Sequence, residues 1–135
     1  MKKFIIFTLF FLIHFISFGQ NMEISWQSCF GGSEADRAFD MVALQNGYLI
    51  VGGSNSTDGD ISGNIGRGDG WLVKVDINGV MEWEKSIGGT NGEYIVRIIP
   101  TQNNSFYLIA SSSSSDGDIS YDPYPDSEDF WIVKI

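Results

Sequence analysis

The chain has 135 residues, of which 17 are acidic, 8 are basic and one, His14, is a histidine, so its net charge at pH 7 is −9. Nucleic acid and anionic lipid bind clustered Lys and Arg, so this charge balance argues against both as partners. The single cysteine, Cys29, cannot form an internal disulfide, and its apolar surroundings predict a small buried side chain.

Residues 1–19 have the pattern of a secretory signal peptide. Lys2 and Lys3 precede an apolar run over 4–13, and Gly19 is a small residue at the cleavage spacing. The run is shorter than the ~20 apolar residues of a membrane-spanning helix, which argues against stable membrane insertion. We therefore expect an exported chain, secreted or held at the cell surface. Cleavage leaves six basic and seventeen acidic side chains, a net charge of −11.

The rest of the chain predicts short strands and no helix. Sixteen glycines, many β-branched and aromatic residues, and frequent turn signals interrupt any helical period. Asn46-Gly47 is a strong hairpin signal because both turn positions must accept a positive φ. The first half predicts strands over 24–29, 39–44, 48–53 and 71–76, and Asn78-Gly79 then leads into a strand over 80–86 that opens the second half.

The strand over 71–76 shows which side chains share a face. Trp71, Val73 and Val75 alternate with Leu72 and Lys74. Because successive side chains of a strand point to opposite faces, this alternation predicts a strand whose Trp71 face differs from its Leu72 face.

The two halves repeat one another at an offset of 57 that grows to 58 and then 60. Both insertions fall in turns, where added residues cost little free energy. We divide the chain into repeats at 22–80 and 81–135, each predicted to form one four-stranded antiparallel sheet. The matching segments are SWQSCFGGS with EWEKSIGGT, NGYLIVGGSNSTDGDIS with NSFYLIASSSSSDGDIS, and DGWLVKV with DFWIVKI.

These motifs resemble a tandem repeat of secreted Gram-negative bacterial proteins. That repeat has, in order, a GG turn, an aromatic hairpin, a DGD loop, a WLVKVD strand, an NG turn and a Trp strand, and YLIVGG is also similar to Kelch blades. The resemblance implies an all-β fold of two four-stranded antiparallel propeller-type blades, a partial β-propeller. It also implies export, commonly by type IX secretion to the cell surface. It implies no settled activity, because propellers include enzymes, binders and scaffolds.

Two blades do not close a propeller, which needs about four to eight. The sequence stops at Ile135 without the DINGV turn that follows WLVKV in the first repeat. Truncation of a longer array predicts further blades of a parent protein as neighbours. Self-association of the chain into a ring is the alternative. We favour truncation, because a cut after any unit of a long array leaves the same strand order.

The two DGD loops have the ligand spacing of a calcium-binding loop. In the first loop, side-chain oxygens stand at positions 1, 3, 5 and 12, and Gly63 stands at position 6. In the second loop, Tyr121 replaces that glycine. Asp-Gly-Asp is also ordinary turn chemistry, so a structural turn is the preferred interpretation and calcium is the candidate cofactor. The candidate ligands are Asp58, Asp60, Ser62, Asp69, Asp116, Asp118 and Ser120.

Catalysis has little support in the composition. After cleavage of residues 1–19 no histidine remains, so a Ser-His-Asp triad and a His-ligated zinc are both excluded. The acidic residues are so numerous that no carboxylate pair stands out. We expect a non-catalytic module for binding protein or glycan, or for scaffolding. The alternatives are part of a secreted enzyme whose active site lies outside this chain, and a calcium-stabilised structural repeat.

The segment YDPYPDSEDF distinguishes the second repeat from the first. Tyr121, Tyr124 and Phe130 can stack on the apolar faces of sugars, and two prolines stiffen the loop. A loop that only covers an exposed blade edge is the plainer interpretation.

Overall fold

The structure, a computed structural model, describes residues 22–125 and 127–135, so the predicted signal peptide over 1–19 lies outside the described residues. Within the described residues, the helical content is one 3₁₀ turn, Gln102–Asn104. None of the described residues form a helix long and apolar enough to cross a bilayer. The strands are β1 (Asp36–Leu44), β2 (Gly47–Ser54), β3 (Asp69–Val75), β4 (Met81–Ile87), β5 (Glu93–Pro100), β6 (Phe106–Ser112) and β7 (Asp129–Lys134).

The strands form two sheets in chain order. The first sheet has the order β1-β2-β3-β4 and the second has the order β5-β6-β7. All neighbouring strands are antiparallel. The all-β, antiparallel prediction is therefore confirmed. The second sheet has three strands instead of the predicted four.

Tight turns join β1 to β2 and β3 to β4, whereas long loops join β2 to β3 and β6 to β7. Leu44 pairs with Gly47, so β1 and β2 are joined by a two-residue hairpin turn next to the predicted Asn-Gly signal. Gly47 has a φ of +140°, and a Cβ atom there would lie 2.8 Å from the Cα of Asp76, so the position requires glycine. Asp76 in turn accepts hydrogen bonds from the N–H groups of Asn78 and Val80, both at 2.8 Å, and holds the β3–β4 turn.

The hydrophobic core lies between the two sheets. One side of it is the downstream face of the first sheet, which we define by Leu49, Val51 and Leu72. The other side is the upstream face of the second sheet, which we define by Ile95, Ile98, Leu108 and Ala110. These residues are all buried, so packing of face on face supplies most of the apolar burial.

The opposite side of the first sheet is its upstream face, which we define by Ile50, Trp71 and Val73. Trp71 and Val73 pack there with Ile61 and Phe30. Since Leu72 points into the core between the sheets, the predicted alternation of faces along β3 is confirmed.

Residues 24–29 do not form the predicted strand. The surrounding segment lies across the upstream face of the first sheet, with the rings of Trp26 and Tyr48 6.1 Å apart. The Ser28 hydroxyl donates to the carbonyl oxygen of Gly79 at 3.0 Å. A strand needs a hydrogen-bonded neighbour, and this segment has none among the residues that the structure describes. Cys29 is consequently exposed, so the prediction that it is buried was wrong.

The Trp83 strand, predicted to open the second half, completes the first sheet. It is β4, in which Trp83 pairs with Lys74 and Ile87 pairs with Gly70 of β3. The boundary between the two sheets therefore lies between β4 and β5, one strand after the boundary between the sequence repeats.

Candidate functional site

The first DGD loop binds the first GG turn. Asp58 Oδ1 accepts a hydrogen bond from the N–H of Ser33 at 2.8 Å, and Asp60 Oδ2 accepts one from the N–H of Gly31 at 3.0 Å. The N–H of Asp60 donates to the carbonyl oxygen of Gly31 at 3.0 Å. The two aspartates therefore satisfy backbone donors that the turn cannot satisfy itself.

The second DGD loop binds the second GG turn in the same geometry. Asp116 Oδ1 accepts from the N–H of Thr90 at 2.9 Å, and Asp118 Oδ2 accepts from the N–H of Gly88 at 3.0 Å. The N–H of Asp118 donates to the carbonyl oxygen of Gly88 at 2.9 Å. We call each pairing of a DGD loop with its GG turn a turn lock. The loop recurs in the sequence because the turn it holds recurs.

An acid and a pair of buried serines also support each turn lock; the acid is half-buried Asp36 in the first and buried Glu93 in the second. In the first, Asp36 accepts from the N–H of Gly32 at 2.8 Å and from the hydroxyl of Ser54 at 2.5 Å. In the second, Glu93 accepts from the N–H of Gly89 at 2.8 Å and from the hydroxyl of Ser112 at 2.9 Å. The same role is thus filled by Asp in one repeat and by Glu in the other.

The acid of the first turn lock is held in its charged form. Burial raises the pKa of Asp36, but hydrogen bonds from Ser54, Gly32 and Ser56 outweigh it and leave the pKa below its ordinary value. These supporting acids and serines were missed by sequence reasoning. Their signal is an acid four residues after the second glycine of each GG turn, and a Ser-x-Ser before each DGD.

The locked turns leave no room for side chains at their central glycines. A Cβ atom at Gly32 would lie 2.7 Å from the Cβ of Ser56, and one at Gly89 would lie 2.6 Å from the Cβ of Ser114. The second glycine of each GG pair is therefore required by close approach of the loop.

The candidate calcium ligands are divided between different places. Asp58 and Asp60 lie together on one turn, as do Asp116 and Asp118 on the other. The Ser62 hydroxyl donates to Glu84, and Ser120 is exposed. Across 22–125 and 127–135, no three His, Cys, Asp or Glu side chains are arranged to hold a metal ion. A calcium site stays the alternative hypothesis to the structural turn.

Asp69, the candidate at position 12 of the first loop, lies at the junction of the two sheets. It is fully buried; Oδ2 accepts from the N–H of Ile65 at 2.9 Å, and Oδ1 has no partner among the described residues. Burial, with the negative charges of Glu93 and Asp118 nearby, raises the pKa of Asp69 above its ordinary value. In sequence it is indistinguishable from the many surface acids.

A cavity of about 280 Å³ opens beneath the segment that distinguishes the second repeat. Tyr121 and Tyr124 stand at its mouth, 79% and 71% exposed. Asp122 accepts from the N–H of Tyr124 at 2.7 Å, which fixes the loop between them. The cavity is lined by Ser112, Ser114, Ile119, Tyr121, Asp122, Pro123, Tyr124, Asp129, Phe130 and Trp131.

Comparison with known proteins gives no match to a family model and none to a curated protein. The function is therefore inferred from the sequence motifs and from the geometry of the turn locks and the cavity.

We predict that Gly89→Ala destabilises the protein by ~2–3 kcal/mol, because its Cβ forces the second DGD loop away from its turn. Gly92→Ala is the matched control, since a Cβ there has nothing within 4 Å. Urea unfolding followed by tryptophan fluorescence measures both. Equal losses in the two variants would contradict the turn lock.

We predict that Asp69→Asn stabilises the protein at pH 7 by ~1–2 kcal/mol, because it removes a buried charge and keeps the acceptor for Ile65. A raised pKa in the folded state means that the wild-type chain loses stability as the pH rises through that pKa. The advantage of the variant should therefore shrink on acidification and vanish below the ordinary pKa of 3.8. Urea titrations from neutral to acid pH measure it.

Asp129→Asn is the matched control for Asp69→Asn, because Asp129 holds the same position in β7 and is exposed. Its effect should stay within about 0.5 kcal/mol at every pH. An Asp69→Asn protein that is less stable than wild type at pH 7 would show that the charge is favourable.

We predict that calcium and chelator give the same melting temperature, because the DGD carboxylates are already engaged by backbone N–H groups. A site held at 100 times its dissociation constant would add ~2.7 kcal/mol to the free energy of unfolding. Calorimetry in each condition decides the question. A calcium-dependent rise that the double variant Asp58→Asn, Asp60→Asn abolishes would establish the metal site.

Proposed function

We propose that the chain is an exported, non-catalytic module of propeller-type repeats that binds a neutral glycan. The arrangement of its strands supports the propeller part of the proposal. Each sheet is a meander in chain order, and the second sheet packs its upstream face on the downstream face of the first. Radially repeated meanders of four strands are the units of a β-propeller.

The use of the acidic residues supports a scaffold over an enzyme. Asp58, Asp60, Asp116 and Asp118 accept hydrogen bonds from the backbone of the GG turns. Carboxylates that hold a turn in this way are not free to transfer protons to a substrate. The repeated polar network is therefore assigned to structure, and ligand binding to the part of the chain where the repeats differ.

The cavity beneath Tyr121 and Tyr124 is the observation that carries the binding assignment. The first repeat has GNIGRGDG over 63–70, where the second has YDPYPDSEDF. Glycines are thus exchanged for aromatic residues and prolines at the same place in the fold. Exposed aromatic rings beside a concave surface provide apolar faces for a ligand, and a proline-stiffened loop keeps them in place.

The chemistry of the lining favours a neutral sugar. Aromatic rings pack on the C–H faces of a pyranose, and Asp122, Asp129 and Ser114 surround the same cavity with hydrogen-bonding oxygens. The negative charge of the chain disfavours anionic sugars. A neutral oligosaccharide satisfies both conditions.

We predict that Tyr121→Ala and Tyr124→Ala each weaken binding of the retained sugar about 5–30-fold, which corresponds to ~1–2 kcal/mol for the lost ring contact. The probe is an array of neutral oligosaccharides, followed by calorimetric titration with the sugar that the wild-type chain retains. Ile65→Ala is the control, since Ile65 is exposed on the equivalent loop of the first repeat.

Unchanged affinity in both tyrosine variants would contradict the assignment of the cavity. A folded wild-type chain that retains no neutral oligosaccharide would contradict the glycan as ligand.

A further inference from the structure

The second sheet has a free edge at β7. In the part of the chain that the structure describes, β7 pairs with β6 alone, whereas its counterpart β3 pairs with β2 on one side and β4 on the other. The free edge exposes a row of backbone N–H and C=O groups that can hydrogen-bond to another strand.

The segment over 24–29 has the sequence of a fourth strand, but it joins neither sheet. It matches β4 in the repeat, with Trp26 in the position of Trp83 and Phe30 in the position of Ile87. Within the described residues, its backbone makes no backbone hydrogen bond. Phe30 already packs on the upstream face of the first sheet, as Ile87 packs against the core between the sheets.

We propose that residues 24–29 of a second copy pair antiparallel with β7 of the first copy, so that the chains associate head to tail. The second copy completes the second sheet of the first, in the way that β4 completes the first sheet. The inference rests on the propeller-type repeat proposed above and is independent of the glycan.

The register of this pairing follows from the internal example. In the first sheet, Lys74 pairs with Trp83, and Leu72 pairs with Lys85. The repeat offsets then place Lys134 opposite Trp26 of the second copy, and Ile132 opposite its Ser28.

Glu84, which accepts a hydrogen bond from Trp71, also has a counterpart in this pairing. The Trp71 indole donates to Glu84 Oε2 at 2.8 Å. Gln27 holds the position of Glu84 in the repeat, and Trp131 holds that of Trp71. The amide oxygen of Gln27 would accept from the Trp131 indole.

The faces that such an interface needs are apolar and exposed. On the downstream face of the second sheet, Ile132 is 55% exposed, whereas its counterpart Leu72 is buried between the sheets. On the upstream side of the first sheet, Met41 is 57% exposed, whereas its counterpart Ile98 is buried. If the second sheet of one copy packs on the first sheet of the next, Ile132 and Met41 become buried, as their counterparts Leu72 and Ile98 already are.

Two facing residues exchange their sizes between the interface inside the chain and the proposed interface between copies. The large residue comes from the first strand of its sheet in one and from the third strand in the other. Inside the chain, Ile95 packs closely against Gly70. A Cβ atom added at Gly70 would lie 2.8 Å from Cγ1 of Ile95. Phe130 holds the position of Gly70, and Ala38 that of Ile95. In the second copy, Ala38 lines a cavity of about 220 Å³ on the upstream side of the first sheet, which leaves room for Phe130 of the first copy.

A second copy is the occupant that satisfies every group at once. Within residues 22–125 and 127–135, one chain carries one sheet without a fourth strand and one fourth-strand segment that joins no sheet. Copies therefore match each other one to one. A head-to-tail interface generates a ring when its rotation closes, and closure at about four to eight sheets corresponds to two to four copies.

The first test is light scattering on the full chain, produced in an exporting host with its own N-terminal segment. We expect a single species with about two to four times the mass of the monomer. Met41→Asp should reduce it to a monomer with an unchanged circular dichroism spectrum. Ile77→Asp is the control and should leave the oligomer intact, because Ile77 is exposed on the β3–β4 turn, outside both faces. A monomeric wild-type chain overturns the proposal.

The second test traps the register with a disulfide. In a Cys29→Ser background, Ser28→Cys and Ile132→Cys should form an intermolecular, reducible bond, because directly paired residues lie about 4.5–5.5 Å apart. Ser28→Cys with Tyr107→Cys is the control and should form none, since Tyr107 lies one strand further from the edge. An intramolecular bond, or none, with the first pair overturns the proposal.

The third test supplies the missing strand within the same chain. A copy of residues 76–90 fused after Ile135 should occupy the edge of β7 and give a monomer. A fusion that still associates overturns the proposal. The glycan proposal is tested separately, because Met41→Asp does not alter the cavity beneath Tyr121. A chain that forms the oligomer but binds no sugar would contradict the glycan proposal and leave the head-to-tail pairing supported.

Discussion

The backbone N–H groups of the two GG turns set the conditions for the rest of this structure. The first turn leads into β1, and the second carries the chain from the first sheet to the second. Such turns leave amide donors that no strand can satisfy. Gly88 and Gly89 of the second turn are buried, and an unsatisfied buried donor costs about 1–3 kcal/mol. The DGD aspartates accept from these donors in both repeats. They reach the turn from the loop that follows the hairpin, so that the turn, the hairpin and the loop become one unit.

The turn locks also decide which faces meet. By fixing the crossing from β4 to β5, the second turn lock holds the upstream face of the second sheet against the downstream face of the first. Ile95 then packs against Gly70, and Glu93 comes close to the buried carboxylate of Asp69. The junction thus combines close apolar packing with an unfavourable pair of acids. The second turn lock explains why Glu93 lies close to Asp69. Glu93 accepts hydrogen bonds there from the N–H of Gly89 and from the hydroxyl of Ser112.

Sequence periodicity was sufficient for features determined by local or short-range contacts. The hairpin next to Asn46-Gly47 and the alternation of Trp71 with Leu72 depend on neighbouring residues, and both were predicted. The strand predicted over 24–29 does not form, because forming a strand depends on a hydrogen-bonded partner that no local pattern reveals. The role of Glu93 was also hidden, since its acceptor function depends on residues distant in the chain. Repetition gives the unit of the fold, but not which sheet each strand joins.

In a repeat protein, each unit is stabilised mainly by the faces it shares with its neighbours. The two sheets of this chain share one such interface, and the same kinds of residues remain exposed on their other sides, at Met41 and at Ile132. A strand edge and an apolar face exposed together are open to association with other chains. The repeats differ most in the loop that carries Tyr121 and Tyr124, which directly follows the second DGD loop. The two turn locks nevertheless have the same hydrogen bonds. Variation there leaves the locked turns intact, so a repeat can acquire a binding surface without disturbing the network that orders its sheets.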